Sequence, residues 1–145
     1  MRRVHRSALV PHSAAQMFDL VNDVEAYPEF LPWCRQSRVL DSSDNQMRAE
    51  VGMSLAGISR SFTTRNTLQR PDRIMLHLVD GPFRHLEGEW QFIALREDAC
   101  RVTLDLTFEV SNRLFSMALT PAFEKVGNSL VDAFSRRADA LYGRG

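Results

Sequence analysis

Three polar residues stand out because they share a strand face with apolar neighbours. Arg60, Thr64 and Asn66 have the same alternating parity as Ile58 and Phe62. Since residues two apart on a strand point to the same side, all three are predicted to face inward, unless a β-bulge reverses the parity. A buried charge needs a partner. Arg60 should therefore lie at a sheet edge, meet a carboxylate or contact the polar head of a ligand.

Other reactive groups are scattered along the chain. None of the histidines forms the i, i+4 pair of a helical zinc site, and His77 has the polar parity of its strand, which predicts an exposed side chain. Cys34 and Cys100 lack the paired spacing of a zinc or redox site. There is no nucleophile elbow, glycine-rich phosphate loop or metal-type carboxylate cluster. We therefore predict no catalytic residue and no metal site.

Composition points to an ordinary globular protein. The chain has 145 residues, 18 basic and 18 acidic side chains and 44% hydrophobic residues, which predicts one domain over residues 1–145. The neutral balance argues against DNA binding, although the cluster of Arg2, Arg3 and Arg6 allows a local anionic contact. No apolar run is long enough for a membrane span, and no signal peptide is recognised, so we expect a cytoplasmic protein.

The first part of the chain predicts a strand, a helix and a stiff connection. Val4 to Val10 is prone to form a strand, and Ser13 with Gln16 makes a capping box that begins a helix. The connection after this helix contains three aromatic residues and two prolines, which favour extended geometry. Acidic residues before it predict the start of a second short helix.

The remainder predicts a sheet followed by a helix. From about Arg38 to Val110 the hydrophobic period is two, which indicates about six antiparallel strands. After Val110 the period is 3.6 to the end of the chain, with Pro121 predicting either a short helix followed by a long one or one kinked helix. The fold class is α+β, with a curved antiparallel sheet of about six to seven strands around the C-terminal helix and two short helices after the first strand.

The inner apolar positions have two interpretations: an ordinary core or the wall of a ligand cavity. A dry void of about 300 Å³ would cost roughly 7 kcal/mol at about 24 cal/mol per Å³, so a large cavity must collapse, admit water or take an apolar guest. Under the second interpretation the candidate binding residues are Tyr27, Phe30, Leu31, Trp33, Arg60, Phe62, Leu78, Phe83, Trp90, Phe92, Phe108, Phe115, Leu119, Phe123, Val126 and Leu130.

Several segments, in order, resemble one known family. They are Tyr27-Pro28-Glu29-Phe30-Leu31-Pro32-Trp33-Cys34, Ala56-Gly57-Ile58-Ser59, Phe62-Thr63-Thr64-Arg65-Asn66, Leu78-Val79-Asp80-Gly81-Pro82-Phe83 and the final amphipathic helix. Together they resemble the RatA and coenzyme Q-binding protein family of the START-like, or SRPBCC, superfamily, often labelled polyketide cyclase/dehydrase. The resemblance covers nearly the whole chain and implies a helix-grip fold.

The resemblance implies a non-enzymatic protein that holds ubiquinone or a similar polyprenyl lipid between sheet and helix and supports respiration. No cofactor is required under this interpretation, and transient membrane contact is a further expectation. The alternative implied by the family is a toxin that binds the large ribosomal subunit and blocks subunit association. A cyclase-like enzyme is a third alternative, and it would need a buried base or oxyanion donors.

Overall fold

The computed structural model describes residues 1–143, so the last two residues of the predicted domain, 144 and 145, lie outside the described residues. Its elements, in chain order, are β1 (Arg2–Val10), α1 (Ala14–Asn22), a 3₁₀ helix (Val24–Glu29), β2 (Cys34–Ser42), β3 (Gln46–Leu55), β4 (Ile58–Gln69), β5 (Arg73–Asp80), β6 (Phe83–Arg96), β7 (Ala99–Val110) and α2 (Arg113–Tyr142). This order confirms the predicted α+β helix-grip class. The meander after the two short helices begins at Cys34, earlier than the predicted start near Arg38.

All seven strands form one antiparallel sheet. The spatial order is β1-β7-β6-β5-β4-β3-β2, so β2 to β7 form a meander and β1 returns beside β7. Val4 pairs with Leu106 and Val10 with Cys100. The alternation along β7 is strict, because every second residue from Cys100 to Val110 is buried. One face of the sheet therefore carries the core and the other faces solvent.

The predicted capping box begins α1. The Ser13 hydroxyl accepts a hydrogen bond from the Gln16 backbone N–H at 3.1 Å, and the Gln16 side chain accepts one from the Ser13 N–H at 2.9 Å. The 3₁₀ helix follows directly and contains Pro28. The Tyr27 hydroxyl donates to the carbonyl oxygen of Val21, which holds this segment against the end of α1.

A single long helix, α2, closes the inner face of the sheet. The Asn112 side chain accepts a hydrogen bond from the Leu114 N–H at 2.8 Å and so caps its first turn. The helix continues through Pro121, so the alternative of two separate helices is wrong. Proline has no backbone N–H, so Pro121 cannot donate a hydrogen bond to the carbonyl oxygen of Met117. Because Pro121 and Met117 are exposed, water can donate to that oxygen instead.

Helix α2 lies much closer to one side of the sheet than to the other. It contacts mainly β1 and β7 and has few contacts with β3. Gly127 permits this approach, because a β-carbon at this position would lie 3.0 Å from Val4 Cγ2 and 3.3 Å from Leu106 Cδ2. Space is therefore left beside the helix, over β3 to β5. Within residues 1–143 no helix has both the length and the apolar character needed to span a membrane.

Candidate functional site

A cavity of about 100 Å³ lies between α2 and the inner face of the sheet. Its walls are predominantly apolar and come from α1, the 3₁₀ helix, five strands and α2. The lining residues are Val21, Asn22, Val24, Tyr27, Trp33, Ala49, Val51, Phe62, Thr64, Asn66, Ile74, Leu76, Leu86, Trp90, Leu106, Phe123, Val126, Gly127, Leu130 and Phe134.

The sizes of the lining side chains explain why space remains at this place. Ala49 and Val51 on β3 have small side chains. On the other side of the sheet, Gly127 lets α2 approach β1 closely. Beside the cavity, four phenylalanine rings fill the volume: the ring centroids of Phe83 and Phe108 lie 5.0 and 4.8 Å from that of Phe123, and Phe62 stacks edge-on against Phe83. A packed aromatic cluster and a cavity are therefore adjacent under the same helix.

One hydrogen-bonded pair forms a polar spot on the cavity wall. The Thr64 hydroxyl donates to Asn66 Oδ1 at 2.8 Å, and the two residues are only 6% and 4% exposed. Both lie on β4, where Asn66 is opposite Met47 on β3 and Leu76 on β5. The parity argument from the sequence is confirmed for these two residues. A polar pair this deeply buried is positioned to meet a polar atom of a guest.

Two more polar side chains line the cavity near α1. The Asn22 Oδ1 atom is buried and has no hydrogen-bond partner in the described part of the chain. The Tyr27 hydroxyl is satisfied by Val21, and burial, with smaller contributions from Cys34 and Asp23, raises its pKa far above the ordinary value for a phenol. Tyr27 therefore remains protonated at neutral pH and is not poised as a base.

The structure brings seven of the predicted binding residues together on the cavity wall: Tyr27, Trp33, Phe62, Trp90, Phe123, Val126 and Leu130. Eight other apolar candidates lie elsewhere. Phe92, Phe108 and Leu119 are fully buried in the solid core, Leu31 and Phe83 are also buried there, and Phe30, Leu78 and Phe115 are half-buried against it. Ligand binding by the predicted set stays a prediction.

Arg60 does not reach the cavity. Its guanidinium lies over the ring of Phe115, 4.8 Å from the ring centroid, and donates to the carbonyl oxygen of Ser59 at 3.3 Å. The side chain is exposed near the start of β4, which is an interior strand. Arg60 therefore lies at the rim of the sheet, where the strand begins, which is the first of the three positions considered from sequence. A cation over an aromatic face is favourable and requires no buried carboxylate.

The thiols and histidines do not form a catalytic group. Burial raises the pKa of Cys100 to about 11 and also raises the pKa of Cys34, so both thiols are protonated at neutral pH. His77 is exposed as predicted. His12 is buried and hydrogen-bonded to Asp139 on α2 at 2.8 Å, which joins the turn after β1 to the end of the last helix. No group of three potential ligands suited to a metal ion occurs within residues 1–143.

Sequence analysis missed several lining residues. Gly127 carries no hydrophobic signal, although its place in the buried stripe of α2 between Val126 and Leu130 indicated a close contact. Phe134 lies on the same stripe and could have been found by extending the periodicity by one turn. Asn22 had no signal, because the last residue of a helix is polar in most proteins. All three line the cavity.

The cavity walls combine apolar surface with a few uncharged polar groups. The walls offer apolar surface, an amide and hydroxyl pair and one further amide, and they present no ionisable base apart from the protonated Tyr27. A volume of about 100 Å³ is below the roughly 300–1,000 Å³ of typical ligand pockets. Even if dry, a cavity of about 100 Å³ would cost only about 2 kcal/mol at roughly 24 cal/mol per Å³.

Comparisons with known proteins agree with the fold. The chain is 51% identical over 140 residues to "Ribosome association toxin RatA" of Pseudomonas aeruginosa, covering 97% of each chain. It is 30% identical over 142 residues to "Coenzyme Q-binding protein COQ10 homolog B, mitochondrial" of Xenopus laevis, covering 95% of this chain and 58% of that one. The crystal structure of the Zhui aromatase/cyclase from Streptomyces sp. R1128 superposes with a TM-score of 0.79 at 18% identity, covering 95% of this chain and 93% of that one, which shows a common fold.

Residues 10–135 match the family described as "Polyketide cyclase / dehydrase and lipid transport". This match spans most of the chain and agrees with the observed sheet and C-terminal helix. The chain belongs to this family, and its relatives include the RatA and coenzyme Q-binding proteins.

Proposed function

We propose that this protein is a non-enzymatic, cytoplasmic binding protein for an apolar molecule with a small polar head, of the ubiquinone or polyprenyl class. Through this ligand it supports quinone-dependent respiration. The observation that carries the proposal is the apolar cavity between α2 and the sheet, with a buried polar pair, Thr64 and Asn66, on its wall. The name of the coenzyme Q-binding relative supports the same ligand class.

The cavity must widen to take such a molecule. Each buried CH₂ group contributes about 0.8 kcal/mol, so one five-carbon isoprene unit contributes roughly 4 kcal/mol, enough to offset a modest displacement of the wall. The half-buried side chains of Trp33, Phe62 and Leu130 line the cavity and are the parts of the wall that can move most easily. Affinity should therefore rise with the length of the tail.

A membrane is the source from which so apolar a ligand would be taken. Leu114 and Met117, on the first turns of α2, are 85% and 87% exposed, and the basic side chain of Arg113 precedes them. We propose that this surface makes transient contact with the bilayer. Flotation with anionic vesicles should retain the wild-type protein and lose most of a Leu114→Ser, Met117→Ser variant. Equal flotation of both proteins would contradict the contact.

Binding is tested by purifying the protein under native conditions, extracting it and measuring quinone by mass spectrometry. Near-stoichiometric quinone is expected in the wild type and much less in Ala49→Leu, whose larger side chain enters the cavity. Exposed Ala94, replaced in the same way, is the matched control and should retain the ligand. Absence of quinone, together with failure of added ubiquinone to bind, would contradict the proposal.

Association with the large ribosomal subunit is the second candidate function. It is favoured by the 51% identity to a protein named for ribosome association. Arg2, Arg3 and Arg6 are the predicted contact, and in the structure they pair with Glu124 at 3.8 Å, Asp105 at 3.0 Å and Asn128 at 3.1 Å. These partners compete with a ribosomal phosphate for the same charges, so the attraction depends strongly on salt.

Co-sedimentation with purified large subunits at low salt tests this second function. Reversing the charges of Arg2, Arg3 and Arg6 should abolish sedimentation. The matched control reverses the charges of Arg38, Arg48 and Arg73. These residues pair with carboxylates, as Arg2 and Arg3 do, but lie on β2, β3 and β5. Unchanged sedimentation of the first variant, or equal loss in both variants, would exclude the β1 arginines as the specific contact.

A cyclase-like activity has the least support from the site. Such chemistry needs a base or an oxyanion donor next to the substrate. The phenol of Tyr27 is already hydrogen-bonded and strongly protonated, and the guanidinium of Arg60 lies outside the cavity. The fold that this chain has in common with an aromatase/cyclase is therefore evidence about architecture and not about reaction.

A further inference from the structure

We infer that Asn66 is the specificity-determining residue of the cavity and that its side-chain amide nitrogen donates a hydrogen bond to a carbonyl oxygen of the bound molecule. This inference rests on the proposed binding function. It adds a chemical requirement, since the guest must have an acceptor oxygen and not only an apolar tail. It also places the polar head of the guest against the middle of β4.

The hydrogen bond from Thr64 determines which end of the Asn66 amide is free. The Thr64 hydroxyl donates to Asn66 Oδ1 at 2.8 Å, so the oxygen of the amide already has a partner. The nitrogen Nδ2 carries two hydrogens and has no side-chain partner within residues 1–143, although Asn66 is only 4% exposed. Nδ2 is not fully enclosed by protein, and Asn66 lines the cavity, so a ligand oxygen in the cavity can accept a hydrogen bond from it.

The residues beside Asn66 on the two neighbouring strands give its Nδ2 no side-chain acceptor. Across the sheet it lies beside Met47 and Leu76, and these side chains offer no strong hydrogen-bond acceptor. Asn22, the second amide on the wall, lies on α1 and has a fully buried, unpartnered oxygen, and no hydrogen bond within residues 1–143 fixes the orientation of its amide. Asn66 is the amide whose donor end is directed by a partner, the Thr64 hydroxyl.

Two probes of equal tail length test this assignment: decylubiquinone and decylbenzene, each titrated in the same detergent. The wild type is expected to bind the quinone about tenfold more tightly than decylbenzene, the size of one hydrogen bond in an apolar site. Asn66→Leu, which has nearly the same shape and no donor, should bring this ratio close to one. Binding of decylbenzene itself should not change.

Asn45→Leu is the matched control, since it removes an exposed amide from the turn between β2 and β3, outside the cavity, and should retain the quinone preference. If Asn66→Leu keeps the full preference, the assignment of Asn66 is wrong. If the wild type binds neither the quinone nor decylbenzene, the proposed binding function fails as well. Equal, measurable binding of both by the wild type overturns this inference alone.

An infrared measurement on the wild type needs no variant and so does not depend on whether Asn66→Leu folds. A hydrogen bond from Nδ2 should lower the carbonyl stretching frequency of bound decylubiquinone relative to the same quinone in detergent alone. Thr64→Val should broaden that band, because without the hydroxyl the amide can rotate. Thr64 is then a positioning residue for Asn66. An unshifted band in the wild type would overturn the inference.

Discussion

Two regions under helix α2 have similar apolar composition and different packing. At Phe123 the helix meets Phe83 and Phe108, whose ring centroids lie 5.0 and 4.8 Å from that of Phe123, so the rings pack tightly although Phe123 also borders the cavity. One to three turns further on, at Val126, Leu130 and Phe134, the same helix covers the cavity. The residues opposite the helix differ: they are phenylalanines in the first region, whereas the wall of the second includes the smaller Ala49, Val51 and Thr64 together with Trp90. Hydrophobic pattern alone therefore does not separate a core from a binding site.

Removing an aromatic ring should affect the two regions differently. Phe108→Ala, in the packed cluster, should lower the free energy of unfolding by about 3–5 kcal/mol, because a full ring is lost from a site with no exposed surface. Phe62→Ala should cost less, since Phe62 is half-buried and lines the cavity. Urea unfolding measures both values. Equal losses would show that the cavity wall is as tightly packed as the cluster.

Gly127 tests whether the position of α2 creates the cavity. Gly127→Leu should lower the free energy of unfolding by roughly 1–3 kcal/mol through overpacking, because even a β-carbon would lie 3.0 Å from Val4 Cγ2. The side chain should move the helix away from β1. The exposed Ser129 on the same helix, replaced by Leu, is the control for helix propensity and should change stability little. An equally small effect at Gly127 would contradict the close approach.

Added volume should be tolerated in the cavity and not in the core. Ala49→Leu should keep the free energy of unfolding within about 1 kcal/mol of the wild type, since the new methyl groups enter existing space. Ala138→Leu is the matched control, because Ala138 is fully buried on α2 and does not line the cavity. It should cost about 1–3 kcal/mol. Thermal unfolding of the two variants measures both losses. A larger loss for Ala49→Leu than for Ala138→Leu would contradict the presence of free space beside Ala49.

The smallest expected effect is a loss of stability at alkaline pH. The pKa of Cys100 rises from 9.0 to about 11 on burial, so the unfolded chain loses this proton first. The contribution of this thiol to stability is complete below about pH 9 and declines as pH rises toward about 11. Cys100→Ala should make the stability profile flatter over this range. Any slope that remains belongs in part to Tyr27, whose pKa is also raised by burial.

Much of the architecture was predictable, because periodicity reports which face of an element is buried. The strict alternation of β7, the capping box at Ser13 and the inward parity of Thr64 and Asn66 all follow from local patterns. Periodicity does not report whether a buried side chain lies in the packed core or on the wall of the cavity. Trp90 and Phe92 have the same parity on β6, yet the first lines the cavity and the second is in the solid core.

The parts that sequence did not predict depend on contacts between distant elements. The position of α2 depends on how closely Gly127 approaches Val4, and these residues are brought together only by the finished fold. The exposed position of Arg60 depends on its contact with Phe115, on another element. Pro121 was predicted to interrupt the helix, and whether a proline does so depends on access of water to the freed carbonyl, which is a tertiary property.

The pairing of β1 with β7 has a consequence for the order of events during synthesis. Val4 must wait for Leu106, so the first strand to leave the ribosome is the last to find its place in the sheet. The meander of β2 to β7 can form earlier through short loops, but its apolar face stays uncovered until α2 has been translated. We therefore expect the nascent chain to remain sensitive to protease and to bind chaperones until α2 has emerged from the exit tunnel.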